Sequence, residues 1–251
     1  MGVDGTLMAF SVIVTVISMT GALIIKNPPE GYTVSATNIF KKNIEKKAVS
    51  PVEDIPPNLF IKRKEFYILW GALAMVIGGG LTAIGLIPAY AESVLNLSPA
   101  VAATAVSAYA LTNGFGRPVV GYLSDKFGTM RIMVITYIIQ ATVFILLPWV
   151  AVNLWLLIFC SLLLGIGYAT TFALFPVLVA SGFGSKYLGI NYGLVFSAFG
   201  IGALTSLLGS WLLDITDSYS PAFFLAGATT IIGLLLLFVL RRGMMKKTSI
   251  S

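Results

Sequence analysis

Asn113-Gly-Phe-Gly116-Arg117-Pro-Val-Val-Gly121-Tyr-Leu-Ser-Asp125-Lys126-Phe-Gly128-Thr-Met-Arg131 decides how the chain is read. It starts inside one long apolar segment and ends inside the next, so the charges of Asp125, Lys126 and Arg131 fall in a short connection between them. Arg117 is placed about two helical turns before that connection, either buried or reaching back to a surface. Gly116 and Gly121 remove side chains where another helix can press close, and Asp125 falls where the next helix is expected to start. Such a loop is a hinge or latch between two membrane helices.

The surrounding chain has 251 residues, of which 57% are hydrophobic and 10% charged, with a mean hydropathy of +0.93. Soluble domains carry about 25% charged residues, so this is an all-α, polytopic membrane protein. Seven spans are predicted, at roughly 6–25, 66–90, 99–123, 130–150, 153–181, 187–213 and 220–241. The first lacks a basic leader, carrying Asp4, and runs into Lys26-Asn-Pro-Pro rather than a small-residue cleavage site, so it reads as a retained helix. Residues 26–65 read as a solvated, Pro- and Lys-rich linker with a short surface helix near 37–47. Residues 66–241 make a six-helix unit and 242–251 a tail.

The net charge of +6 does not point to nucleic acid, because the basic residues sort by loop. Eight lie between Lys26 and Lys64, three in the 113–131 stretch, one at Lys186 and four between Arg241 and Lys247, which accounts for all 16. The other turns hold only Asp4, Glu92, Asp214 and Asp217. By the positive-inside rule the N-terminus is expected outside, and the long linker and C-terminus in the cytoplasm. The expected location is the plasma membrane. There is no histidine, and the one cysteine, Cys160, lies in an apolar segment. Hence no metal centre, cofactor, disulfide framework or enzymatic chemistry is expected.

Three stretches carry a family resemblance. Gly121-x-x-x-Asp125-Lys126-x-Gly128-x-x-Arg131 resembles the loop signature of the major facilitator superfamily. Asn27-Pro-Pro-Glu-Gly-Tyr32, and Phe183-Gly-Ser-Lys186 followed by Gly189-x-Asn-Tyr-Gly193, resemble the oxalate/formate antiporter branch, and Ser220-Pro-Ala-Phe-Phe also fits. The resemblance implies that the seven spans match helices six to twelve of a twelve-helix carrier, a partial major facilitator fold without its first five helices. The expected function is secondary transport of a small organic anion by alternating access. The expected partners are that anion, the lipid bilayer and, for a native chain of this length, a separate N-terminal half.

The candidate substrate site follows from the same comparison. Arg117 is the strongly charged residue placed well inside a span, where a charge costs at least ~2.5 kcal/mol. Its planar guanidinium suits a carboxylate, and the resemblance makes it an anion ligand. It also reads as a side chain that snorkels to the surface or pairs with Asp125. Tyr168 and Phe172 share a helix face by i, i+4 spacing and match positions where the family places aromatics around substrate, or they pack against neighbouring helices. An oxalate carrier of this branch is expected to have lysine where Phe199 stands, so one cation beside an aromatic suggests a monocarboxylate. Gly121, Asp125, Lys126, Gly128 and Arg131 form the signature or gating group, with Asp125 a conformational latch or a simple cap.

Two other classes fit a seven-helix chain with its N-terminus outside. A receptor would make the three motifs accidental, and a non-transporting membrane subunit would account for the missing half. A retinal pump is disfavoured, since residues 220–240 contain no lysine and no Asp or Glu lies deep in a span.

Overall fold

The computed structural model describes residues 3–25 and 53–248, with side chains not described beyond Arg242. Among the described residues every regular element is an α-helix. The chain divides into two compact units at Ser50. The first contains α1 (Val3–Ile24), an apolar helix of 22 residues. The Asn27–Tyr32 motif and the helix expected near 37–47 lie outside the described residues.

The second unit comprises α2 (Pro57–Phe60), α3 (Lys64–Ser93), α4 (Pro99–Phe127), α5 (Thr129–Val150), α6 (Leu154–Phe183), α7 (Leu188–Phe196), α8 (Ala198–Thr216) and α9 (Ser220–Thr248). Six segments among the described residues are long and apolar enough to cross a bilayer: α1, α3, α5, α6, α7 with α8, and α9. The span predicted at 99–123 corresponds to α4. At 29 residues it rises about 43 Å, which exceeds a hydrocarbon core, but Asn113, Arg117, Asp125 and Lys126 dilute its apolar character, and it is not among the six apolar segments.

Helix α3 is central, packing on α4, α6, α8 and α9. Its Gly78-Gly79-Gly80 run explains how. Successive residues on a helix point about 100° apart, and the three glycines face different neighbours. A Cβ on Gly78 would meet Thr205 of α8, one on Gly79 would meet Thr230 and Phe144, and one on Gly80 would meet the ring of Tyr168 on α6. Gly165 plays the same part between α6 and α4, lying against the Tyr109 carbonyl and Thr112, whose Oγ1 donates to the Leu162 carbonyl at 2.9 Å. In lipid, close backbone approach of this kind replaces the hydrophobic drive that holds soluble bundles together.

Around this seam lie two apolar clusters. One, towards the α4–α5 turn, includes Phe60, Met133, Tyr137, Phe175 and Phe183. The other, at the opposite end, includes Tyr90, Tyr109, Phe144, Leu147 and Phe223. Tyr90 and Tyr137 are both buried, while Trp149 is exposed. Trp70 donates its Nε1–H to Ser197 Oγ at 3.0 Å.

Two further expectations change, and one holds. The connection between the fourth and fifth helices is a single residue, Gly128, at φ +94°, a backbone conformation that L side chains rarely adopt. Asp125 therefore sits in the last turn of α4, not at the start of α5, and Arg117 is about three turns from the helix end. The sixth span reappears as one apolar segment, Leu188–Thr216, in which α7 passes to α8 at Ser197 with the backbone still right-handed helical (φ −57°, ψ −21°). Lastly, the end of the expected solvated linker is packed: Ile55 is 3% exposed, Phe60 is fully buried and α2 begins at Pro57.

Candidate anion site and membership of a transporter family

Helices α4, α6, α7 and α8 together present one aromatic face. From α6, Tyr168 and Phe172 meet edge-on with centroids 4.9 Å apart. Tyr109 of α4 lies 5.8 Å from Tyr168 and donates its hydroxyl to the Gly80 carbonyl at 3.2 Å. Phe172 continues to Phe196 of α7 at 6.0 Å, and Phe196 to Tyr192 at 5.6 Å and to Phe199 of α8 at 5.5 Å.

Arg117 lies on this face. Its Cζ is 4.8 Å from the Phe172 ring centroid, within the range of a cation–π contact. Its Nη2 donates to Asn113 Oδ1, one turn back, at 3.5 Å. The side chain is exposed rather than buried. Pairing with Asp125 is not formed: eight residues of helix separate them by about 12 Å along the axis. The guanidinium is thus held by a ring and an amide, and still offers donors to an incoming anion.

The four residues expected at the site, Arg117, Tyr168, Phe172 and Phe199, belong to one connected surface, with Phe199 joined through Phe196. Sequence reading missed Tyr109, Asn113, Tyr192 and Phe196. Their spacing was a usable signal: Tyr109, Asn113 and Arg117 fall at successive i, i+4 steps, as do Tyr192 and Phe196.

The signature residues form a separate group at the α4–α5 turn. Asp125, Lys126 and Arg131 are exposed, and Lys126 places Nζ 5.3 Å from the Phe127 ring centroid. A Cβ at Gly121 would meet nothing within 4 Å, so this glycine is not required by packing within the chain.

The family model described as Major Facilitator Superfamily matches residues 68–250, most of the chain. The chain belongs to the major facilitator superfamily. It is a multi-pass integral membrane protein, and its resemblance to the oxalate/formate antiporter branch is supported by its relatives. It is 30% identical over 198 residues to the oxalate:formate antiporter of Oxalobacter formigenes, covering 76% of this chain and 46% of that protein. It is 26% identical over 206 residues to the uncharacterized MFS-type transporter YhjX of Escherichia coli (strain K12), covering 81% and 48%. Monocarboxylate transporter 12-B of Danio rerio is 29% identical over 185 residues, covering 71% and 38%. The chain thus spans about half the length of the curated relatives it matches or less. The relatives are named as transporters, not enzymes.

Proposed function

We propose that this superfamily member works in a secondary transporter of a small organic anion, a monocarboxylate or an oxalate- or formate-like ion, by alternating access. The observation that carries the reading is Arg117, presented on an aromatic face within a helix long enough to cross the membrane. Its guanidinium supplies the fork for one carboxylate, and the rings of Phe172, Phe196 and Phe199 supply an apolar wall for the rest of the molecule. With phenylalanine at 199 the face carries a single cation, which favours a monocarboxylate over a dicarboxylate.

In this reading α4 is a seventh span, the N-terminus lies outside and the C-terminus in the cytoplasm, and the plasma membrane is the site of action. Substrate binds between two halves near the midplane, so α1 corresponds to the sixth helix of a twelve-helix carrier and a further five helices complete it. Asp125, Lys126 and Arg131 gate the cytoplasmic end without touching substrate.

Two measurements test this. An antibody to residues 246–251 on source membranes gives the native size: a band near 27 kDa means that the other helices come from a separate chain, and a larger band means that they precede Met1. Proteoliposomes of the native carrier or complex should then exchange labelled formate or lactate, and Arg117→Gln should abolish the exchange while leaving the membrane yield unchanged. Full exchange with Arg117→Gln would rule out this site. A complex that is stable and transports no anion would favour a non-transporting subunit.

A further inference from the structure

Residues Glu53–Phe60 reach the end of the bundle where α6 turns into α7, and three polar ties hold them there. The Ile55 N–H donates to the Phe183 carbonyl at 3.0 Å, one of the terminal carbonyls that α6 cannot satisfy internally. Asp54 Oδ1 accepts the backbone N–H of Lys186, in the turn, at 3.0 Å. Asn191 of α7 donates Nδ2–H to the Ile55 carbonyl at 2.9 Å. Phe60 adds an apolar anchor, edge-on to Phe183 at 4.7 Å and to Phe66 at 5.2 Å. Gly184, at φ +83°, lies flush on Asp54, so a Cβ there would meet the Asp54 carboxylate and Cα.

Two features separate this strap from a permanent strut. Asn191 is fully buried, yet among the described residues its Oδ1 has no hydrogen-bond partner. A buried acceptor left unpaired destabilises the state that contains it, so the closed strap is held less firmly than its ties suggest. In addition, the clasped corner starts at Gly184, whose backbone at φ +83° is a point where the chain can pivot. Beyond it α7 carries Tyr192 and Phe196, two rings of the aromatic face.

We propose that Glu53–Phe60 is a releasable latch on the α6–α7 corner. Asp54, Ile55 and Asn191 hold α7 in the arrangement seen here and let go together when α7 moves against α6. Release loosens the part of the aromatic face that α7 supplies. The latch stands on its own contacts, and only its coupling to transport rests on the function proposed above.

Residue-resolved amide hydrogen exchange on the full chain in lipid nanodiscs tests it. The Ile55 and Lys186 amides should exchange with one common opening, faster than the buried Leu174 amide of α6. Asp54→Asn and Asn191→Ala should each speed both amides about tenfold while Leu174 is unchanged. Independent rates at Ile55 and Lys186, or variants that each affect a single amide, would overturn the latch. So would protection in the wild type equal to that of Leu174, a comparison that holds even if a variant fails to fold. In an exchanging carrier, Asp54→Asn should change turnover with anion affinity unaltered. Absence of any wild-type exchange would instead count against the transport reading and leave the amide result standing.

Discussion

The guanidinium of Arg117 lies over the ring of Phe172, with Cζ 4.8 Å from the centroid. The pair joins α4 to α6 through a charge and a π-face, where elsewhere Gly116 meets Ala169 and Gly165 meets Tyr109 and Thr112. A ring holds a cation without neutralising it, unlike a carboxylate. The guanidinium therefore stays available to an anion.

Arg117→Lys tests whether the planar fork matters beyond the charge. Lysine keeps the cation but loses bidentate geometry and stacking, so anion affinity should fall about tenfold with little loss of folded protein. Equilibrium binding of labelled formate to the purified carrier reads this directly, and wild-type affinity in the lysine variant would remove the bidentate role.

Phe199→Lys should add a second cation to the aromatic face. A charge-assisted hydrogen bond contributes about 1.5–3 kcal/mol, so the preference for oxalate over formate should rise by roughly tenfold or more. Competition between the two anions in an exchange assay gives the ratio, and an unchanged ratio would mean that position 199 does not face substrate.

Gly80→Ala should damage packing and site together. The added Cβ meets the Tyr168 ring, which is only 4% exposed and has little room to retreat. Overpacking of this kind costs about 1–3 kcal/mol. The midpoint of thermal unfolding in detergent should drop, whereas Gly21→Ala, where a Cβ meets nothing within 4 Å, should leave it unchanged.

Gln140→Met should stabilise the protein. Gln140 is fully buried against Gly167, and among the described residues neither its Oε1 nor its Nε2 has a hydrogen-bond partner. Removing two unpaired buried groups at similar volume should recover about 1–3 kcal/mol, seen as a higher unfolding midpoint. A lower midpoint would show that the amide is satisfied in the membrane, for instance by water.

Much of this was legible in the chain. Apolar runs near 20 residues identify membrane helices without reference to their neighbours, and six of the seven predicted spans reappear as helices apolar enough to cross. The seventh reappears as α4, whose polar residues are the ones that line the candidate site and its signature turn. Tyr168 and Phe172 could be placed on one face by spacing alone. The length of α4 was misjudged because the charges of Asp125 and Lys126 read as a loop, while a helix end tolerates exposed charge and the turn needs only Gly128.

By itself, then, the sequence determined the membrane class, the helices, the family motifs and the placing of Arg117 inside a long helix, because each of these depends on local composition or on helical period. Only the tertiary structure decided that Gly78, Gly79 and Gly80 between them meet four different helices, that Phe196 links Phe172 to Phe199, and that Asp54 clasps the turn at Lys186. The physical reason is that these pairs lie far apart along the chain. Their meeting depends on how each helix is rotated and crossed against its neighbours, and in a bundle apolar on nearly every side the hydrophobic pattern does not specify that rotation. Close contacts at glycine and a few polar ties do.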